Sequence, residues 1–250
     1  MILLVDAGNT RIKWGCLEDG RIRHVQEWRH RDRPLDEIVS RLDSLSPQPE
    51  RIVVSNVAGF EMARALTRYA EDHRGMRPEF VLVEREALGV SIAYTDAGQL
   101  GVDRWVAMIG AFGQYHAPLC IVDAGTALTI DGLDRQGKHL GGLIAPGVHL
   151  ASQVLDRATS DIAAKRRPED TELNLFMDNT EGAVRAGALF SVVALVEKAV
   201  EEMSRRLSVR PQVIITGGDG ERVRDKLNFP AQFVPDLVLR GLRLIAKRES

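Results

Sequence analysis

Hydrophobic positions in the first thirty residues come in short runs broken by turns. Ile2–Asp6 is apolar almost throughout, and Arg11–Leu17 alternates. Asp19-Gly20 then leads into a third run, Arg21–Trp28, which completes the pattern of a three-stranded meander. From Pro34 to Leu45 the apolar residues Leu35, Ile38, Val39 and Leu42 recur at helical spacing, with a stop expected near Pro47. A buried strand is expected at Arg51–Ser55, a helix at Ala58–Asp72 and a strand at Glu79–Val83. A less regular stretch, Glu84–Leu100, precedes a helix over Val102–Tyr115.

The pattern then restarts. Strands are expected at Leu119–Asp123, Ala127–Leu133 and His139–Ala145, with a turn at Arg135–Lys138. Helices are expected at Val148–Ala158 and Asn179–Leu207. A strand at Gln212–Thr216 and a helix over Glu221–Leu227 follow, then a short strand at Gln232–Val234 and a last helix, Leu237–Lys247. The letters repeat as well: Leu4-Val5-Asp6-Ala7-Gly8 and Ile121-Val122-Asp123-Ala124-Gly125 stand 117 positions apart. Strand, strand, turn and strand follow each copy, which favours an internal duplication over coincidence. The halves are expected at 1–116 and 117–250, with a cleft between them where a small molecule would bind.

Composition narrows the class. The 250 residues carry 33 basic and 35 acidic side chains, a net charge of −2, so the basic excess that phosphate-backbone binding needs is missing and no nucleic-acid partner is expected. Hydrophobic residues make up 44 % and charged ones 27 %, as in globular chains and unlike disordered ones. No apolar run approaches the roughly 18–20 residues of a membrane span, and MILLVDAG lacks the basic start of a signal peptide. Cys16 and Cys120 are too few for a disulfide framework, and the histidines show no metal-binding spacing. The expectation is a cytoplasmic α/β protein with no membrane partner.

The repeated Asp-Ala-Gly carries the chemistry. Gly8 and Gly125 have no Cβ, so a ligand can approach the backbone closely. Asn9, Thr10 and Thr126 supply polar side chains and backbone N–H groups suited to phosphate oxygens, and each aspartate could hold a cation or a metal-bound water. Lys13 could neutralise phosphate charge. An aspartate that merely caps its own turn would explain one copy; two copies heading two repeats favour a site. Gly101-Val102-Asp103-Arg104-Trp105 opens a helix, which places Asp103 and Arg104 in a first turn suited to anions. Thr216-Gly217-Gly218-Asp219-Gly220 is a glycine-dense turn that suits close approach of a nucleotide.

Two other segments imitate known motifs. Gly132–Lys138 begins like a phosphate-binding P-loop, but His139 stands where a Ser or Thr would hold Mg²⁺, and the segment reads as a hairpin turn. His30-Arg31-Asp32 imitates a protein-kinase catalytic loop but lies too near the N-terminus, and is expected to be a solvated turn before Pro34.

In this order the pieces resemble the type III pantothenate kinases of the acetate and sugar kinase/Hsp70/actin superfamily. The resemblance spans DAGNTRIKWG at 6–15, GVDRW at 101–105, VDAGTALTID at 122–131, GGLIAPG at 141–147, NTEGAVRAG at 179–187 and TGGD at 216–219. Val102 stands where the pattern has alanine and Arg185 where it often has glutamine, and neither change removes a functional group. The resemblance implies two ribonuclease H-like halves, each a mixed five-stranded sheet flanked by helices. It implies ATP-dependent phosphorylation of pantothenate, the first step of coenzyme A synthesis, by a homodimer that needs Mg²⁺ with its ATP and a monovalent cation, K⁺ or NH₄⁺. By position, Asp6, Ala7, Gly8, Asn9, Thr10, Arg11, Ile12 and Lys13 would bind ATP together with Thr126, and Asp6 would also serve Mg²⁺, directly or through water. Tyr94, Gly101, Val102, Asp103, Arg104 and Thr180 would bind pantothenate, with Asp103 as the base. Asp123 would hold the monovalent cation. The alternatives are a non-catalytic regulatory relative of the same family, or another small-molecule kinase of the superfamily.

Overall fold

A computed structural model of the chain describes residues 1–45, 48–158 and 173–248. These residues form two units, Met1–His116 with Asp236–Ser250, and Ala117–Pro235.

In the first unit, β1 (Ile2–Ala7), β2 (Arg11–Glu18) and β3 (Arg21–Arg29) form the expected meander. After α1 (Asp36–Asp43), β4 (Arg51–Asn56) pairs parallel to β1. After α2 (Phe60–Arg74), β5 (Glu79–Phe80) pairs parallel to β4. The sheet order is β3-β2-β1-β4-β5. Leu3, Leu4 and Val5 of β1 and Ile52, Val53 and Val54 of β4 are all buried. Central parallel strands are covered on both faces, which is why both read as continuous apolar runs. On one face Leu3, Val5, Ile12, Trp14, Ile52 and Val54 pack with Ile38 and Leu42 of α1 and Met62, Leu66 and Tyr69 of α2. Pro47, the expected stop of the first helix, lies outside the described residues; α1 itself ends at Asp43.

The stretch expected to be irregular holds a small hairpin, β6 (Glu86–Ala87) and β7 (Val90–Ser91), turned at Leu88-Gly89, where both residues have positive φ. Helix α3 (Val102–Tyr115) follows.

The second unit repeats the plan. Strands β8 (Leu119–Ala124), β9 (Ala127–Leu133) and β10 (His139–Pro146) form a second meander, followed by α4 (Val148–Ala158) and α5 (Thr180–Leu207). Then come β11 (Gln212–Thr216), a short α6 (Gly220–Arg224) and β12 (Gln232–Phe233). The sheet order is β10-β9-β8-β11-β12, strand for strand the order of the first unit. Helix α5 is capped by Asn179, whose Oδ1 accepts the Gly182 N–H at 2.8 Å. Its apolar stripe of Ala188, Leu189, Val192, Val193, Val196 and Val200 packs on Cys120, Val122, Leu128 and Ile130 of its own sheet.

The last helix, α7 (Leu237–Arg248), does not stay with the second half, as a division at 117–250 would have it. It packs on α3 and β1 of the first unit. The sequence of α7 suits this place: Leu237, Leu239, Leu242 and Ile245 are buried, and glycines on both helices allow close contact. A Cβ on Gly110 of α3 would stand 2.6 Å from the Leu237 carbonyl oxygen, and one on Gly241 would collide with the Val106 carbonyl. No described helix is long and apolar enough to cross a membrane.

Candidate active site

In the first unit, Asp6 faces Lys13 across β1 and β2, and Ser55 of β4 is its partner on the other side. Residues in register share a face of the sheet, so the three stand together at the C-terminal ends of β1 and β4, the end at which open α/β sheets bind ligands. Ala7 and Ile12 are buried beneath them. Ser55 is fully buried, and its Oγ has no hydrogen-bond partner among the described residues. Between β1 and β2 the chain turns through Gly8, Asn9 and Thr10, closed by the Gly8 N–H donating to the Arg11 carbonyl at 3.0 Å. Asn9 at the tip is exposed.

Two residues that hold this turn are not among the site residues expected from the sequence. Glu27 of β3 lies 3.2 Å from Lys13 Nζ and accepts a hydrogen bond from Arg11. Partial burial works against ionising Glu27, but the hydrogen bonds and charges of Arg11 and Lys13 outweigh it and hold the carboxyl below its ordinary value. The second is His30. The sequence suggested a solvated turn there; instead His30 is buried, and its Nε2 lies 2.7 Å from the Gly8 carbonyl oxygen. It is buried because β3 runs its full length beside β2 and carries residue 30 under the Gly8 turn.

The other candidates of this unit lie around the start of α3. Gly101 is the N-cap, and its carbonyl accepts the Trp105 N–H at 3.1 Å. Val102 and Asp103 are partly exposed in the first turn, and Asp103 Oδ1 accepts the Arg104 N–H at 2.7 Å. Arg104 is buried, at 6 % exposure, and so is no surface cation. Its Nη1 donates to the Tyr94 hydroxyl at 3.2 Å, and its guanidinium lies 5.8 Å from the Tyr94 ring centroid. Tyr94, Gly101, Asp103 and Arg104 therefore form one group: a carboxylate on the macrodipole's positive end beside a guanidinium steered by an aromatic ring.

In the second unit, Asp123 stands one residue before the end of β8 and pairs in register with Thr216 of β11. Three sequence motifs meet here. The Gly125 N–H donates to the Ala127 carbonyl at 3.1 Å, the Gly147 N–H to the Thr126 carbonyl at 3.1 Å, and the Asp219 N–H to the Ala124 carbonyl at 2.9 Å. Gly217 has a positive φ, and a Cβ there would strike both Asp123 Oδ1 and the Ala124 backbone. The turn after β11 is thus folded directly onto the Asp123 turn. Thr126 is partly exposed, and Thr180 is exposed at the first position of α5. Gly132–Lys138 is a hairpin turn, with the Asp134 N–H donating to the Lys138 carbonyl at 3.0 Å. Among the described residues no three His, Cys, Asp or Glu side chains group as a metal site.

Comparison with known proteins decides the family. The type III pantothenate kinase family model matches residues 2–202. The chain belongs to the type III pantothenate kinase family. Type III pantothenate kinases similar over the whole chain include that of Alcanivorax borkumensis, 38 % identical with both chains fully covered, and that of Nitrosococcus oceani, 34 % identical over all of this chain and 95 % of that one. Among solved structures, a Baf family transcriptional activator from Campylobacter jejuni superposes with a TM-score of 0.64 at 22 % identity, over 99 % of this chain and 98 % of that one. A ROK family glucokinase from Streptomyces griseus superposes with a TM-score of 0.55 at 15 % identity, covering 99 % of each chain. These structures share the two-sheet fold of sugar kinases with the pantothenate kinase chain described here.

Proposed function

We propose that this chain transfers the γ-phosphoryl group of ATP to the 4′-hydroxyl of pantothenate, the first step of coenzyme A synthesis. The observation that supports this most is the group at the start of α3. Arg104 is buried beside Tyr94, where it suits the pantothenate carboxylate, and Asp103 sits one residue away. In the reaction Asp103 accepts the hydroxyl proton as the oxygen attacks the γ-phosphorus. The new O–P bond forms, the bond to the β-phosphate oxygen breaks, and ADP leaves. Gly101 and Val102 bound the pantothenate site.

The turn from Asp6 to Lys13 would hold the phosphates, with Thr126 as a further ATP contact. The donor set fits a metal that arrives with its nucleotide: one carboxylate, Asp6, beside the buried Ser55 hydroxyl, which has no partner among the described residues. Mg²⁺ keeps several waters and needs few protein ligands; bound with ATP, it offsets phosphate charge. Asp123, a hard oxygen ligand, would hold K⁺ or NH₄⁺.

The homodimer has its own support. Leu143 and Ile144 on the edge strand β10, Val154 and Leu155 on α4, and Leu175 and Phe176 ahead of α5 are exposed, as are the small residues Ala183, Gly187, Ser191 and Ala194 along one side of α5. Apolar exposure on these elements supports a surface that meets a partner. Thr180, at the end of that side, would reach the partner's pantothenate. A cytoplasmic setting agrees with the use of ATP and with two buried, unpaired cysteines, of which Cys120 has its thiol pushed up to about 12 by burial and by nearby Asp131.

The test is ADP release, coupled to a reporter, with pantothenate, with and without K⁺. Pantothenate-dependent turnover that rises with K⁺ or NH₄⁺ is expected. No turnover would favour a regulatory relative, and turnover of sugars instead would favour another kinase of the fold.

A further inference from the structure

The carbonyl of Gly8 and the N–H of Asn9 belong to one peptide group, which is planar and trans, so they point in opposite directions. Whatever holds the carbonyl therefore aims the amide. In this unit the holder is a side chain. His30 Nε2 lies 2.7 Å from the Gly8 oxygen, and because a carbonyl only accepts, that nitrogen must carry the proton. Two more bonds fasten the same turn, from the His30 N–H and the Arg31 N–H to the Thr10 carbonyl at 3.1 and 3.3 Å.

The base of this strap is itself fixed. Trp28, two residues earlier, is buried in the core with Ile12, and the guanidinium groups of Arg33 and Arg41 lie 5.7 and 5.6 Å from its ring centroid. The Arg33 N–H closes the strap on the His30 carbonyl at 3.0 Å. The tip residue Asn9 remains exposed. A glycine turn left to itself samples many backbone states; this one is tied on its inner side at residues 8 and 10, which turns the Asn9 amide outward.

We propose that His30 is a positioning residue for the nucleotide: by holding the Gly8 carbonyl, it fixes the Asn9 N–H as a donor to a phosphate oxygen of ATP. The inference rests on the turn from Asp6 to Lys13 being the phosphate site. It makes His30 act on ATP and leave the acceptor untouched.

The test compares His30→Gln, whose terminal amide reaches about as far as Nε2, with His30→Asn, whose amide falls short. Both variants are made in the full chain and checked by circular dichroism. ATP affinity is measured by calorimetry without acceptor, and KM for each substrate is measured in the coupled assay. Loss of one such hydrogen bond should weaken ATP binding in His30→Asn about tenfold, with KM for pantothenate unchanged and His30→Gln within a few-fold of wild type. Wild-type ATP affinity in His30→Asn would overturn the proposal, as would equal damage in both variants or a matching rise in both KM values. Calorimetry keeps the two readings apart. If wild type binds ATP in a His30-dependent way but does not turn over pantothenate, the acceptor assignment fails and the role of His30 stands.

Discussion

Gly101 and Asp103 leave each other almost no room. A Cβ on Gly101 would stand 2.7 Å from Asp103 Oδ1, and that oxygen is already held by the Arg104 N–H. The glycine at the N-cap thus sets where the proposed base can sit. Gly101→Ala should displace the carboxylate while leaving the helix intact, and kcat should fall by about 10- to 100-fold, the range expected for a small misplacement. Asp103→Asn keeps the shape and removes the base, so kcat should fall further, by about 10²–10⁴. Measuring kcat for both variants with ATP saturating tests the ordering. If Gly101→Ala is fully active, the carboxylate is not positioned by its neighbour; if Asp103→Asn is fully active, the base is elsewhere.

At the scale of elements, one irregularity places Lys13. Near the Asp19-Gly20 turn, Glu18 pairs with Arg21 and Leu17 with Ile22, and in that register Lys13 would face Gln26. A bulge in β3, where His24 with its positive φ and Val25 stand opposite the single residue Gly15 of β2, slides the rest by one residue, so Lys13 meets Glu27. The ion pair follows from the bulge. Glu27 is held below its ordinary carboxyl value of 4.5 in the fold, so its contribution to stability is present above that pH and is lost as pH falls through the folded value. The urea midpoint of wild type should therefore exceed that of Glu27→Gln at neutral pH, with the gap closing as the pH falls below 4.5 and through the lowered folded value. A gap that persists in acid would mean the carboxylate charge is not what matters. The bulge also explains why Glu27 escaped a reading of the letters, since a straight hairpin pairs the wrong residues.

At the scale of the molecule, the C-terminal helix changes what counts as a half. The repeat divides the chain after His116, and a fragment of residues 1–116 is the half it marks out. It lacks α7, which buries Leu237, Leu239, Leu242 and Ile245 in the first unit. Losing four such side chains removes several kcal/mol, at about 1.5–3 kcal/mol each, comparable to the whole stability of a domain. Residues 1–116 alone should show no cooperative thermal transition; a sharp one would show that α7 is dispensable. The proposed dimer makes a second prediction. Thr180→Val chains mixed with Asp103→Asn chains should recover part of the activity, because some mixed dimers would carry one intact composite site. No recovery after confirmed subunit exchange, or an active monomer in sedimentation, would exclude a shared site.

The elements and their repeat were legible in the sequence because each depends on neighbours a few residues away. Apolar periodicity marks strands and helices, and Asp-Ala-Gly marks the two strand ends that β1 and β8 adopt. Motif identity placed Asp6, Asp103 and Asp123 at strand and helix ends for the same reason. Tertiary structure alone decided the pairings that cross the chain: His30 under the Gly8 carbonyl, Glu27 opposite Lys13, and the turn after β11 against Asp123. It also turned the apolar stripe of α5 onto its own sheet, left Ala183 and Gly187 outward, and returned α7 to the first unit. A local pattern says that a face must be buried and cannot say against what. That choice depends on a one-residue bulge and on which helices carry glycine where two backbones must touch.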